Sequence, residues 1–497
     1  MRSISALIAA VAVLGCIACS RGSTHEPAAR GSDLVVGTIA DPIVLDGALV
    51  SDRESLRVVA QIFEGLTALA PGTTRVVPKL ALRWTASEGG RTWTFVLRRR
   101  VRFQDGTRFD ARSVCFNLGR WYRFRGSLQN PDATYYWHEI FGGFRNSDQP
   151  SLYRGCRAGG PHVVRVLLTR PFGALPAALA LPSFTIASPR ALRRYRADDG
   201  SVDGVGNFIA RGSYAHHPTG TGPFRLGGWT PGKALVLVRN DDYWGVKARV
   251  DRLVFRPIYV PGDRVAALRS GAVDVVDLYG RSEVAQVHVP GVRVAARPPF
   301  DVGYLGINQR HEPLGRPLVR QAVAYGLDRA AAVHDGFAPR ATVAREFTPP
   351  TLAGYAVGVE RYPYEPARAR RLLRQAGLSL PVRIDLWYPT GVRRPYLPEP
   401  EDVARSFAAS LEGAGFRVDL RPSPWLPDYV RRVRSGGAGL YLLGWVGDYA
   451  DAGAFLDPIF GSTAGRFGFV SRPRRFRSSV WNAVIGCAAS SRRVASI

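Results

Sequence analysis

The chain has 497 residues, 46% of them hydrophobic and 10% aromatic, which is enough apolar surface for two or three packed cores and excludes a disordered protein. Its formal charge is +27, but nearly all of that is arginine spread along the whole chain, with lysine only at Lys79, Lys233 and Lys247. No single basic stripe interleaved with aromatics stands out, which excludes nucleic acid as a partner, and the arginine bias matches GC-rich codon usage.

At the N-terminus Arg2 precedes an uncharged apolar run over residues 4–14, too short to span a bilayer, which reads as an export signal. The run ends in Val13-Leu14-Gly15-Cys16-Ile17-Ala18-Cys19 and resembles a lipobox, so Cys16 or Cys19 is expected to carry a lipid, with Cys16 the better fit. Cleavage without lipidation is the alternative. Either outcome places the chain outside the cytoplasm. No later segment reaches the roughly 18 uncharged apolar residues of a membrane-spanning helix. Of the five cysteines, Cys487 falls in an atypical tail, which leaves Cys115 and Cys156. In an oxidising compartment these two are expected to pair; two buried thiols are the alternative.

Short strands and helices then alternate, without repeats. Residues 33–39 read as a strand and 55–65 as a helix. Residues 92–97 alternate as a strand, turn through Asp105-Gly106 and lead to a helix over 111–122. Residues 130–160, rich in glycine, aromatic and polar side chains, read as an irregular surface insertion. A strand over 163–168 is followed by helix or loop to about residue 210. Strands are expected at 235–238, 253–257 and 273–276, with a helix at 264–270. From Val302 the alternation restarts, with helices at 318–325, 366–376 and 402–415 and strands at 382–387, 417–420 and 440–443. The pattern predicts an α/β protein of two lobes plus a separate subdomain.

Enzyme signatures are missing from this sequence: there is no Gly-x-Ser-x-Gly elbow and no His-Glu-x-x-His, and its eight histidines have no metal-ligand spacing. Gly227 to Lys233 mimics a phosphate-binding loop, but Ala234 stands where Ser or Thr is required, so the segment reads as a hairpin turn. A secreted hydrolase is the distant alternative.

A set of ordered motifs runs through residues 33–469: Leu45-Asp46, Phe63-Glu64-Gly65-Leu66, Thr92-Trp93-Thr94-Phe95, Val101-Arg102-Phe103-Gln104-Asp105-Gly106, Gly220-Thr221-Gly222-Pro223-Phe224 and Asp242-Tyr243-Trp244-Gly245. Tyr304-Leu305-Gly306-Ile307-Asn308, Leu327-Asp328-Arg329 and Gly444-Trp445-Val446-Gly447-Asp448-Tyr449 follow. In this order the chain resembles the peptide-binding family, family 5, of ABC-importer solute-binding proteins. The resemblance implies a type II periplasmic-binding-protein-like fold in which two α/β lobes, with an extra N-terminal subdomain, close on ligand by a hinge. The expected division is 1–31 signal and tether, 32–77 and 216–300 first lobe, 78–215 extra subdomain, 301–469 second lobe and 470–497 tail.

The resemblance also implies an importer receptor, working as a monomer without cofactor or metal, that captures a di- or oligopeptide and presents it to the permease subunits. A nickel chelate, an opine or an oligosaccharide is the alternative cargo. Asp448 matches the residue that accepts the peptide's α-ammonium, and Arg394 the one that holds its carboxylate. Burying a zwitterion calls for one anionic and one cationic partner, so the chemistry agrees. Tyr396, Trp387, Trp425 and Trp445 lie near these anchors in sequence and are expected to wall the pocket. From residue 461 onward there are seven arginines and no acidic residue, unlike the return to the first lobe that relatives make. The expectation is a truncated or out-of-frame tail and a less stable first lobe.

Overall fold

The computed structural model describes residues 33–460, apart from 205, 288–289, 357 and 360–361, together with the backbone of Val484–Ile485. The export signal with Cys16 and Cys19, Cys487, and the tail apart from those two residues lie outside the described part.

Three sheets organise the chain. The first has the order Phe224–Thr230, Ala234–Arg239, Arg252–Pro257, Asp33–Thr38, Val275–Val276, so the N-terminal strand is parallel to strands more than two hundred residues later. Its register places Asp33 opposite Arg252, and the two pair at 2.6 Å. Phe224–Thr230 and Ala234–Arg239 form an antiparallel hairpin, as expected for the Gly/Pro turn between them. The second sheet is antiparallel, in the order Ala81–Ser87, Thr92–Leu97, Val163–Leu168, Tyr153–Ala158.

The third sheet runs Phe416–Pro424, Val382–Thr390, Leu440–Val446, Asp301–Ile307, Val484–Ile485. Asp301–Ile307 is buried along its whole length and Leu440–Val446 along all but its last residue, because protein covers both faces of these strands. Helices Pro317–Gly326, Pro366–Gln375 and Pro400–Gly413 each open on proline, whose fixed φ suits the first turn and whose missing N–H would be unpaired there in any case.

The helix Ala111–Tyr122 starts where Asp110 and Ser113 cap each other: the Ser113 N–H donates to Asp110 at 2.8 Å and the Asp110 N–H to the Ser113 hydroxyl at 3.1 Å. Its Cys115 is bonded to Cys156 on the edge strand, with 5.3 Å between their Cα atoms. The bond closes a loop of 41 residues, so reduction is expected to lower stability by about 4 kcal/mol if loop entropy dominates. Urea unfolding with and without reductant checks this, and a difference below about 1 kcal/mol would contradict the entropic account.

Residues 130–160 differ from the expectation of a surface insertion. They contain the helix Tyr135–Phe141 and the strand Tyr153–Ala158, and Trp137 packs 4.6 Å from Phe141 and 5.7 Å from Tyr153 between ring centres. Aromatic residues that show no helical or strand period in the sequence here join the core that also holds Phe95, Trp121 and Val164, with Ile140, Phe144 and Leu152 buried beside them.

Two of the buried charge clusters join segments far apart in the chain. Glu64, 3% exposed, accepts from Tyr243 at 2.6 Å, from the Trp244 indole at 2.7 Å and from the Thr221 hydroxyl at 2.7 Å, and pairs with Lys79 at 3.0 Å. Gly220 and Gly222 lie beside it against the backbone of Gln61 and Ile62, where a Cβ would collide with carbonyl oxygens. In the second cluster Arg120 is buried between Asp46 and Asp198, each 2.6 Å from Nη2.

Candidate functional site

The strand Leu440–Val446 ends just before Asp448, which puts a carboxylate just past a strand's C-terminal end. Tyr135 and Tyr136, on the helix that follows the second sheet's first two strands, both hydrogen-bond to it; the Tyr135 hydroxyl donates at 3.3 Å. Part of Asp448 remains accessible, yet protein surrounds it on most sides. Burial pushes its carboxyl up to about 8, and the negative charge of Glu139 adds to the shift, against the opposing pull of the two tyrosine hydrogen bonds. No arginine or lysine among the described residues pairs with it. A buried carboxylate held by neutral donors and lacking a cation favours a positively charged ligand.

Arg394 lies on the loop after the strand Val382–Thr390. Its guanidinium stands 5.1 Å from the Trp425 ring centre, it is exposed, and it forms no ion pair among the described residues. Neighbouring Arg393 is committed elsewhere: it pairs with Glu399 at 2.7 Å and reaches Glu283 at 3.9 Å. Between the two anchors Tyr396 presses its ring onto the backbone of Gly444, where any Cβ would overlap it, so the Arg394 loop rests on the strand that leads to Asp448. Burial raises the Tyr396 hydroxyl above its usual range, and Arg394 pulls it back.

The tryptophans separate into two kinds. Trp387 and Trp425 are half-buried; Arg432 covers Trp387 at 4.1 Å, and Trp425 stacks near Tyr429 at 6.0 Å. Trp445 is 9% exposed and donates its indole N–H to the Ala454 carbonyl at 2.8 Å, a role in packing. Sequence reasoning missed Tyr135, Tyr136 and Glu139, whose one available signal was the Tyr-Tyr-Trp run inside the segment read as an insertion.

Further contacts join the chain before residue 300 to the chain after it. Thr74 donates to the Thr351 carbonyl at 2.6 Å, Phe172 meets Tyr449 at 6.3 Å between ring centres, and the Ser282 hydroxyl donates to Glu399 at 2.9 Å. Among the described residues no group of His, Cys, Asp or Glu is arranged to hold a metal, and no helix is long and apolar enough to cross a membrane.

A family model described as bacterial extracellular solute-binding proteins, family 5 middle, matches residues 75–467. The chain belongs to that family. Its members are extracytoplasmic binding proteins of ABC importers and not enzymes. Over 418 residues the chain is 29% identical to the dipeptide-binding protein of Escherichia coli (strain K12), covering 82% of this chain and 74% of that protein. Over 483 residues it is 25% identical to heme-binding protein A of Haemophilus influenzae, covering 93% and 84%. Among solved structures it is similar to the periplasmic binding protein DppA of Helicobacter pylori in complex with peptide STSA, at 26% identity and a TM-score of 0.65, covering 86% of this chain and 81% of that one. The fold of this family 5 protein is accordingly the two-lobed one that the sequence motifs imply.

Proposed function

We propose that this family 5 protein captures a short peptide between its lobes, with the α-ammonium on Asp448 and the carboxylate on Arg394, and releases it intact to its permease. In this reading residues 32–77 and 216–300 form the first lobe, 78–215 the extra subdomain and 301–469 the second lobe. The chain acts as a monomer held to the membrane by lipid on Cys16 or Cys19. The observation that carries the reading is Asp448 itself: a carboxylate raised to about 8 that accepts hydrogen bonds from two tyrosines and pairs with no cation among the described residues. Arg394, which pairs with no carboxylate among the described residues, supports the other end. A ligand touching both would stabilise only the closed arrangement, which gives the importer a state to recognise. Trp387, Tyr396 and Trp425 would form adaptable walls, and Trp445 their backing.

Calorimetric titration with di-, tri- and tetrapeptides, next to heme, a nickel chelate, an opine and an oligosaccharide, tests the proposal. Free peptides are expected to bind, and N-acetylation is expected to remove most of the affinity. Arg394→Ala is expected to weaken free peptides by about 10- to 100-fold and to leave C-terminally amidated peptides unchanged. Binding of heme or a chelate with indifference to every peptide would move the cargo assignment and leave the family in place.

A further inference from the structure

Between the helices Ala111–Tyr122 and Pro189–Arg194 the surface folds into a cavity of about 610 Å3. Five of its lining residues are arginines, Arg108, Arg112, Arg190, Arg193 and Arg194, and all five are exposed. The whole chain has 64 arginines in 497 residues, so general arginine content does not account for half of a ten-residue lining. A second cavity of about 340 Å3 adjoins the first, sharing Arg190 and Arg194 and adding His216 and His217.

One carboxylate lines each cavity, Asp110 the first and Asp105 the second, and both accept hydrogen bonds from neutral donors without pairing with an arginine among the described residues. Asp110 caps the helix that follows it, accepting from the Ser113 N–H at 2.8 Å. Asp105 accepts from the Thr107 and Ser188 hydroxyls at 2.5 and 2.6 Å. None of the five arginines forms an ion pair among the described residues, whereas neighbouring Arg196 pairs with Asp199 and Arg225 with Asp242. Aromatic rings help to hold the arginines in place: Arg193 sits 4.5 Å from the centre of Phe116 and Arg194 5.4 Å from Tyr195, on which the His217 ring also stacks at 4.1 Å. Like charges around a concave surface focus positive potential into it. Guanidinium forks match the paired oxygens of phosphate.

We infer that this groove binds a phosphate-bearing anion, at a site separate from the peptide cleft. Every lining residue precedes Gly227, and none belongs to the sheet that carries Asp448. Two sources present this chemistry, a soluble phosphate or pyrophosphate and the headgroup of an anionic lipid.

The test compares the full mature chain with Arg190→Gln/Arg194→Gln and with a control, Arg371→Gln/Arg417→Gln, which removes the same charge from exposed positions outside the groove. Pyrophosphate titration and flotation with phosphatidylcholine vesicles, with and without phosphatidylglycerol, are read at low and physiological salt. The groove variant is expected to lose at least about tenfold in affinity, with the control unchanged. Pyrophosphate binding without vesicle retention assigns a soluble anion, and retention by phosphatidylglycerol without pyrophosphate binding assigns a headgroup; either supports the groove. Equal losses in both variants would reduce the effect to net charge, and wild-type binding to neither probe would end the proposal. Unfolding midpoints confirm that each variant folds, and Arg190→Gln alone replaces the double variant if that one does not.

Discussion

Asp448→Asn is expected to weaken peptide binding by about a hundredfold while making the unliganded protein more stable at neutral pH. The two effects have one origin. In the unfolded chain this carboxyl ionises near its ordinary value of 3.8, and in the folded protein it is pushed up to about 8. With the folded value raised, the stability this group contributes is fully present below about pH 4 and is lost as pH rises through 8. An amide of the same shape escapes that loss, which is on the order of 2–4 kcal/mol at neutral pH once the solvent reaching one side of the group is considered.

A ligand ammonium requires the ionised form, so binding below pH 8 expels a proton. Affinity should therefore climb by up to about tenfold per pH unit between 5 and 8. Above that the peptide's own α-amino group begins to lose its charge, with a pKa of about 8, and affinity falls again. Asp301, pushed up to about 7 by burial, adds a stability loss of the same sign, but it is present in both proteins and cancels in the comparison. Calorimetry at pH 6, 7 and 8 in buffers of different protonation enthalpy reads the proton directly. A wild-type affinity flat across that range, or an Asn variant that binds as well, would remove the ammonium anchor.

The largest stability effect is expected at Arg120→Met. Arg120 is buried with Asp46, which is 6% exposed, and removing the guanidinium leaves Asp46 charged and unpaired in the core. The expected loss is about 3–5 kcal/mol. Asp198 adds little to it, because 48% of its side chain is exposed. The double variant Asp46→Asn/Arg120→Met should recover much of the loss, since no buried charge then lacks a partner. Denaturant unfolding of the two single variants and the double variant checks both statements, and a single-variant loss below about 1 kcal/mol would show that water reaches Asp46.

Much of the fold is legible in the sequence where local pattern and burial agree. The strand Thr92–Leu97 and the helix Ala111–Tyr122 span the residues that the sequence pattern predicts for them. The third sheet's apolar strands are visible because residues buried on both faces leave continuous hydrophobic runs. Boundaries drift where edges are polar, as at Val382–Thr390, which runs three residues past its apolar stretch because it pairs with Phe416–Pro424 throughout.

The site is legible only on one side. Asp448 stands out at the end of an apolar strand, but the tyrosines that meet it come from more than three hundred residues earlier and carry no period that marks them. Their placement depends on the aromatic packing around Trp137, a tertiary fact. The different duties of Arg393 and Arg394 are equally hidden, since only the position of Glu399 and Glu283 separates them.

Glu64 and its partners carry a lesson about recognisability. Phe63-Glu64-Gly65-Leu66, Gly220-Thr221-Gly222 and Tyr243-Trp244 are among the motifs that mark the family in the sequence, and they meet in one knot around a carboxylate that already has a cation in Lys79. Only the Gly444–Tyr449 motif also contains the proposed cargo anchor, Asp448. A chain can keep the knot around Glu64 unchanged while residues elsewhere are exchanged to suit another solute, so these three motifs speak for the kind of receptor and stay silent on what it carries.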